Sequence, residues 1–183
     1  GALTGWLGSS RQIEGSQETA KNLLTEARTR FEALNDTAGA AEAHIEIAWC
    51  YWREGAYDEA RVTLREALSK LSNKDDGLRA VALVRLGDVE RAAIRLNDAL
   101  LVLAEAASLV EESSNHSLKG RFHNTLAVVL KNLGASEKRQ DYIDRALVEF
   151  AAASFHFEQA GHTRFRARVE NNLGFLFLQL NRH

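Results

Sequence analysis

The sequence has no proline, no methionine, one cysteine and no apolar run near the ~20 residues of a membrane-spanning helix. Each absence narrows the choices. Without proline, helices end only where glycine or a capping residue ends them. Punctuation therefore falls to Gly, Asn, Asp and Ser. Cys50 has no partner for an internal disulfide, so the fold needs no oxidising compartment and a cytoplasmic location is the expectation. The opening Gly1-Ala2-Leu3-Thr4-Gly5 lacks the basic region and apolar core of a secretory signal. Missing methionine even at position 1, together with an apolar helix pattern reaching almost to His183, leads us to expect a piece of a longer protein. A net charge of -2 argues against a general attraction to nucleic acid or anionic membrane.

What the sequence has in abundance is alanine, leucine, glutamate and arginine, which favour helix. At 183 residues the chain could be one compact domain or a short repeat array. Self-similarity decides for the array. A Leu or Ile followed by a small residue recurs as Leu7-Gly8, Ile47-Ala48, Leu86-Gly87, Leu126-Ala127 and Leu173-Gly174, in steps of 40, 39, 40 and 47. Twelve residues after each of the first three small positions begins an alanine, apolar, alanine triplet: Ala20, Leu24, Ala27; Ala60, Leu64, Ala67; Ala99, Leu103, Ala106. A fourth triplet, Ala146, Phe150, Ala153, arrives seven residues late and accounts for the step of 47.

Spacings of three, four and seven place each triplet on one helix face. The preceding small residue marks a different helix, so each unit is a helical hairpin whose small residues permit close crossings. First helices are expected near 2–14, 39–54, 78–93, 117–133 and 164–180, and second helices near 17–34, 57–71, 96–112 and 141–160. The repeats run approximately 1–36, 37–74, 75–115 and 116–161, with an incomplete unit at 162–183. Gly15-Ser16, Gly55 to Asp58 and Asn97-Asp98 should turn within hairpins, and Asn35 to Thr37, Ser72 to Asp75 and Ser113 to Asn115 should cap helices between them. Residues 135–141 form an insertion, predicted as an extra helical turn or a projecting loop.

These residues resemble the tetratricopeptide repeat family over essentially the whole chain. The second unit carries the resemblance best, with Ala43, Ile47, Ala48, Tyr51, Gly55, Tyr57, Asp58, Glu59, Ala60, Leu64, Ala67 and Leu68 in the family's order. Gly161, Ala167, Asn171 to Gly174 and Phe177 look like the opening arm of another unit. Two departures stand out. Arg11 and Glu90 occupy positions where the family carries an aromatic, so those helices should pack less fully. The step near 40 is similar to the longer-helix variety found in kinesin light chain, spindle-orientation adaptors and MalT-type bacterial activators. The resemblance implies an all-α, right-handed α-solenoid of antiparallel hairpins, with first helices lining a concave groove and second helices forming the back.

Counting inward positions from each small residue gives a set of groove side chains. The aromatic portion holds Trp6, Glu46, Trp49, Trp52 and Arg53. Arg85, Asp88 and Arg91 follow from the third unit, Arg121, Asn124 and Lys131 from the fourth, and Arg168, Asn171, Asn172 and Gln179 from the fifth. All three tryptophans fall on this face, either as binding anchors or packed against neighbouring helices or a missing N-terminal segment. Asn124 and Asn172 occupy the place where family members present an asparagine to the backbone of an extended peptide. The groove is net positive on a net negative protein, which points to an acidic or C-terminal peptide. Solvated helix faces with ordinary internal ion pairs are the plainer reading.

Chemistry of other kinds finds little support. The six histidines are scattered, with no pair three or four apart beside a carboxylate in the manner of a zinc motif, and no cofactor is expected. His44 reads as wedged between helices, and Cys50 as a packing residue rather than a nucleophile. The basic run Arg164 to Arg168 spreads over two helix faces, so nucleic-acid contact is not expected. Lys21, Arg28, Arg61, Arg65 and Glu66 read as surface pairs. The leading expectation is a non-enzymatic scaffold holding a protein or peptide. A ligand-sensing module of a bacterial transcription regulator and a self-associating module, pairing through its terminal helix, are the alternatives.

Overall fold

The computed structural model describes residues 15–180, with the side chain of Gln179 excepted. Over that span the chain forms eight helices: α1 (Ser16–Ala33), α2 (Thr37–Glu54), α3 (Tyr57–Lys70), α4 (Asp76–Ala92), α5 (Leu96–Glu112), α6 (His116–Glu137), α7 (Gln140–Gln159) and α8 (Thr163–Leu180). These match the helices expected from the repeat to within a few residues. The expected helix near 2–14 lies outside the described residues. The fold is an all-α solenoid of helical hairpins. Its contacts divide into two compact units, one ending at Ile94 and the other beginning at Arg95.

In the first unit α1 to α4 pack each on the next, and α2 also touches α4. First arms of successive hairpins therefore lie side by side. In the second unit α5 packs on α6, α6 on α7 and α7 on α8. The expected triplets supply the buried faces. Ala20, Ala60, Ala67, Ala99, Ala106, Ala146, Ala153 and Phe150 are fully buried, and Leu64 and Leu103 nearly so. Alanine at these places lets helices approach, while the longer residue between them fills the remaining gap. Burying each such leucine or phenylalanine contributes about 1.5–3 kcal/mol.

Turn chemistry follows the sequence in most places. The Asp36 carboxylate accepts from Gly39 N at 2.8 Å and the Asn115 amide oxygen from Leu118 N at 3.1 Å, so both cap the following helix. Asp75 instead closes its own turn, accepting from the backbone N and the hydroxyl of Ser72 at 2.9 and 2.7 Å. Gly55 ends α2 at φ 79°, a conformation that suits glycine. In the next hairpin the turn falls earlier than expected. Ile94 takes φ 62°, and Asn97 and Asp98 lie in the first turn of α5. The insertion resolves as helix: α6 runs on to Glu137, and only Lys138 and Arg139 separate it from α7.

Glu90 corrects an expectation. Where the family carries an aromatic, its carboxylate is fully buried and receives two hydrogen bonds from Arg61, Nε to Oε1 at 2.7 Å and Nη2 to Oε2 at 3.0 Å. The helix does not pack loosely there. Nor is Arg61 an exposed surface charge: its side chain is 12% exposed, it also holds Asp58, and its bond to Glu90 raises its pKa above the ordinary arginine value. A forked ion pair between α3 and α4 occupies the volume of the missing ring.

Candidate functional site

Five expected groove residues converge in the first unit. Successive turns of α2 present Glu46, Trp49, Trp52 and Arg53, and α4 contributes Arg85. Trp49 and Trp52, three residues apart, stack with ring centroids 4.2 Å apart and planes 4° from parallel. The Arg85 guanidinium lies over Trp49, 5.3 Å from its centroid, and donates to the Glu46 carboxylate at 2.5 Å and to the Ile45 carbonyl at 3.0 Å. It is thus engaged within the protein, tying α4 to α2.

Arg53 differs. It is half-buried at the C-terminal end of α2, with no hydrogen bond or ion pair to any described residue. Burial holds its pKa below the ordinary arginine value, with the Glu46 charge opposing the shift and Arg85 adding to it. The Trp52 indole N–H is also buried without an acceptor. Two donors on adjacent residues are left without partners, beside an aromatic pair. Of the two, only the indole N–H is fully buried, and leaving it unpaired costs roughly 1–3 kcal/mol. Asp88, expected on the same surface, is buried and lies 3.5 Å from the half-buried Arg91, so this pair presents little free charge. Trp6 lies outside the described residues.

In the second unit α6 and α8 hold the remaining candidates. Arg121 on α6 and Arg168 on α8 both lie against the Phe165 ring, at 5.9 and 5.2 Å from its centroid. The Asn124 side-chain oxygen is buried without a partner. Lys131 is half-buried, Asn172 half-buried and Asn171 exposed. Gln179 is not described at the side chain. Within the basic run, Arg166 is taken up by Glu158 at 2.6 Å and Glu170 at 2.7 Å.

Two other expectations can be placed. Cys50 is 2% exposed, and burial raises its thiol pKa, as for a packing residue. His44 is buried between α1 and α2, its Nε2 2.6 Å from Arg28 Nη1. The histidines, by contrast, are not all scattered. His116 and His123 on α6 meet His156 on α7, with His116 Nδ1 and His156 Nδ1 2.9 Å apart. Spacing within one helix could not show this cluster. The signal available was the hairpin itself, because an antiparallel pair of arms brings the start of α6, with His116, to the end of α7, with His156.

The tetratricopeptide repeat profile matches residues 41–69, which take in most of α2 and nearly all of α3. None of the curated proteins matches the chain by sequence. Among solved structures, the chain is similar to the crystal structure of BtubC (BKLC) from P. vanneervenii, with a TM-score of 0.61 at 18% identity over 94% of this chain and 78% of that one. At that identity the likeness concerns the fold. No described helix is long and apolar enough to cross a membrane. Residues 41–69 match the tetratricopeptide repeat, and the described chain as a whole is an all-α helical-repeat solenoid.

Proposed function

We propose that the protein is a non-enzymatic scaffold that holds an acidic polypeptide segment, with its principal anchor in the first unit. Tetratricopeptide repeats generally mediate protein–protein interaction, and the side chains on α2 and α4 narrow that role. The observation that carries the reading is the half-buried Arg53 guanidinium at the end of α2, beside the stacked Trp49 and Trp52 rings and the unpaired Trp52 indole N–H. A carboxylate pairs with Arg53, and an apolar neighbour in the same segment covers the rings. Arg85 lies over Trp49 from α4 and has its own acceptors. In the second unit Arg121, Asn124, Lys131, Arg168 and Asn172 offer cationic and amide groups to an extended backbone. Gln179 and Trp6 complete the proposed set.

A fluorescently labelled panel of acidic, neutral and basic peptides, titrated with the full chain, tests this. Acidic peptides should bind best. Arg53→Gln with Trp52→Phe removes both donors and should weaken them at least about tenfold, as for truncation of a desolvated hot spot. Equal binding of all three classes, or unchanged affinity in the double variant, contradicts the proposal.

A second reading rests on α8, where Phe175, Phe177 and Leu178 are each more than half exposed. Such a patch suits self-association between copies of this chain. Light scattering over increasing concentration should then show a rising mass that Phe175→Ser with Phe177→Ser abolishes. A constant mass in the unaltered protein excludes this reading.

A further inference from the structure

The histidines of the second unit gather at one end of the α6–α7 hairpin. His116 begins α6 and is exposed, and His156 lies near the end of α7. Their Nδ1 atoms stand 2.9 Å apart, a hydrogen bond between imidazoles in which one ring donates and the other accepts. His123, two turns along α6, stacks on the His156 ring at 5.4 Å and 12°, so His156 meets two imidazoles of α6. His123 Nδ1 donates to the Glu149 carboxylate at 2.6 Å, and His162, just before α8, meets the Ser117 hydroxyl through Nε2 at 2.8 Å. A proton affects these contacts differently. His123 donates to Glu149 whether its ring is neutral or charged, and acid turns that bond into an ion pair. A charged His162 still donates to Ser117, because a hydroxyl also accepts. The bond between His116 and His156 needs one ring with a free lone pair on Nδ1. With both rings charged, two N–H groups face each other and no acceptor is left. The rings then repel, and a charged His123 adds to that repulsion.

We propose that the bond between His116 and His156 is an acid-released latch on the α6–α7 hairpin: at neutral pH it ties the start of α6 to the end of α7, and when both rings carry a proton that end of the hairpin opens. The charges acting on His156 are positive, those of His123, His116 and Lys119 on α6. Lys119 is turned to the Glu111 carbonyl of α5 at 2.8 Å. The carboxylates close by are engaged elsewhere. On α7 Glu149 is taken by His123 and Glu158 by Arg166, and on α8, which packs on α7, Glu170 is also taken by Arg166. Burial, followed by His123 and His116, holds the His156 pKa below the ordinary histidine value. The opened chain therefore binds the proton more tightly than the closed one. The latch is at full strength above about pH 6.5 and weakens as pH falls below it. The other end of the hairpin, where Gly134 packs against Ile143, holds no histidine and has no such release.

Hydrogen exchange of the full chain, read by mass spectrometry at about pH 7.5 and 5.0 and corrected for intrinsic rates, tests this. Peptides covering 116–123 and 152–160 should lose protection at least about tenfold at the lower pH, and peptides covering 131–145, at the other end of the same hairpin, should lose less. His44 lies on α2, so its own titration does not produce this pattern. His156→Gln and His116→Gln each leave a neutral hydrogen-bonding group in the pair and should abolish the loss, whereas His123→Gln should keep most of it. His116 is exposed, so its variant keeps the fold, which circular dichroism checks. That variant also separates the latch from burial of His156 alone, which would leave the loss in place. Protection of 116–123 and 152–160 unchanged by acid, or a loss that persists in His116→Gln, overturns the proposal.

Discussion

Residues with unusual surroundings account for most of what distinguishes this chain from a generic repeat. Glu90 is the clearest case. Removing one member of a buried ion pair leaves an uncompensated charge, so Glu90→Ala should cost about 3–5 kcal/mol in urea unfolding. Replacing both members, with Glu90→Phe and Arg61→Leu, restores an apolar contact and should recover most of that loss. His44 gives a pH dependence. Arg28 can only donate, so His44 Nε2 must accept and the ring is neutral in the folded state. Burial and then the Arg28 charge lower its pKa, so the unfolded chain binds the proton more tightly. Stability is full above the ordinary histidine value of about 6.5 and falls as pH drops through it towards the lower folded value. Unfolding at pH 7.5 and 5.5 should show this fall, and His44→Leu should flatten it. The sequence placed His44 between helices correctly, because an amphipathic pattern locates a buried position. It missed Glu90 because a helical wheel shows burial but not the partner that makes burial of a carboxylate tolerable.

At the scale of the element, turns and close approaches set the hairpins. Ile94 is a β-branched residue at φ 62° and 82% exposed, so it carries strain with no packing in return. Ile94→Gly should raise stability by about 1 kcal/mol, read as an increased melting temperature. Gly120 on α6 behaves differently from Gly77 on α4. A Cβ at Gly120 would come within 2.7 Å of the buried Phe157 ring, whereas at Gly77 it meets nothing within 4 Å. Gly77→Ala should therefore gain up to about 1 kcal/mol from helix propensity, and Gly120→Ala should lose stability despite the same gain. Among the described residues the order and approximate limits of the helices were legible in the sequence because the triplets and small residues recur with a fixed step. The turn at Ile94 was not, since it uses no glycine, asparagine or aspartate at its positive-φ position. The late fourth triplet was legible as an insertion, and its resolution as continued helix reflects the absence of any helix breaker between Ala135 and Lys138.

Across the whole molecule, stability in a helical-repeat chain is a sum of local terms and nearest-neighbour contacts. The two compact units should respond separately to a core defect. Phe150→Ala, at a fully buried site in the second unit, should cost about 3–5 kcal/mol and lower hydrogen-exchange protection first in α6 to α8. Protection in α2 and α3 should fall less. In the first unit the repeat register was enough to place Glu46, Trp49, Trp52 and Arg85 near one another. Their states were not legible. Which arginine is engaged, Arg85 with Glu46 and Ile45, and which is left with unused donors, Arg53, depends on partners a turn or a helix away. Charge balance changes accordingly, since an arginine already paired with a carboxylate attracts a ligand less than one that is not. The histidine cluster was missed for the same reason, its members being joined across α6 and α7 rather than along either.

The measurement that bears most directly on the proposed role is selection of a random peptide library on the immobilised full chain at low and high salt. The account predicts enrichment of segments in which an Asp or Glu stands beside an apolar or aromatic residue. Enrichment should weaken with salt and disappear in Arg53→Gln with Trp52→Phe. Selection of basic or featureless segments, or the same acidic segments from the double variant, would contradict it.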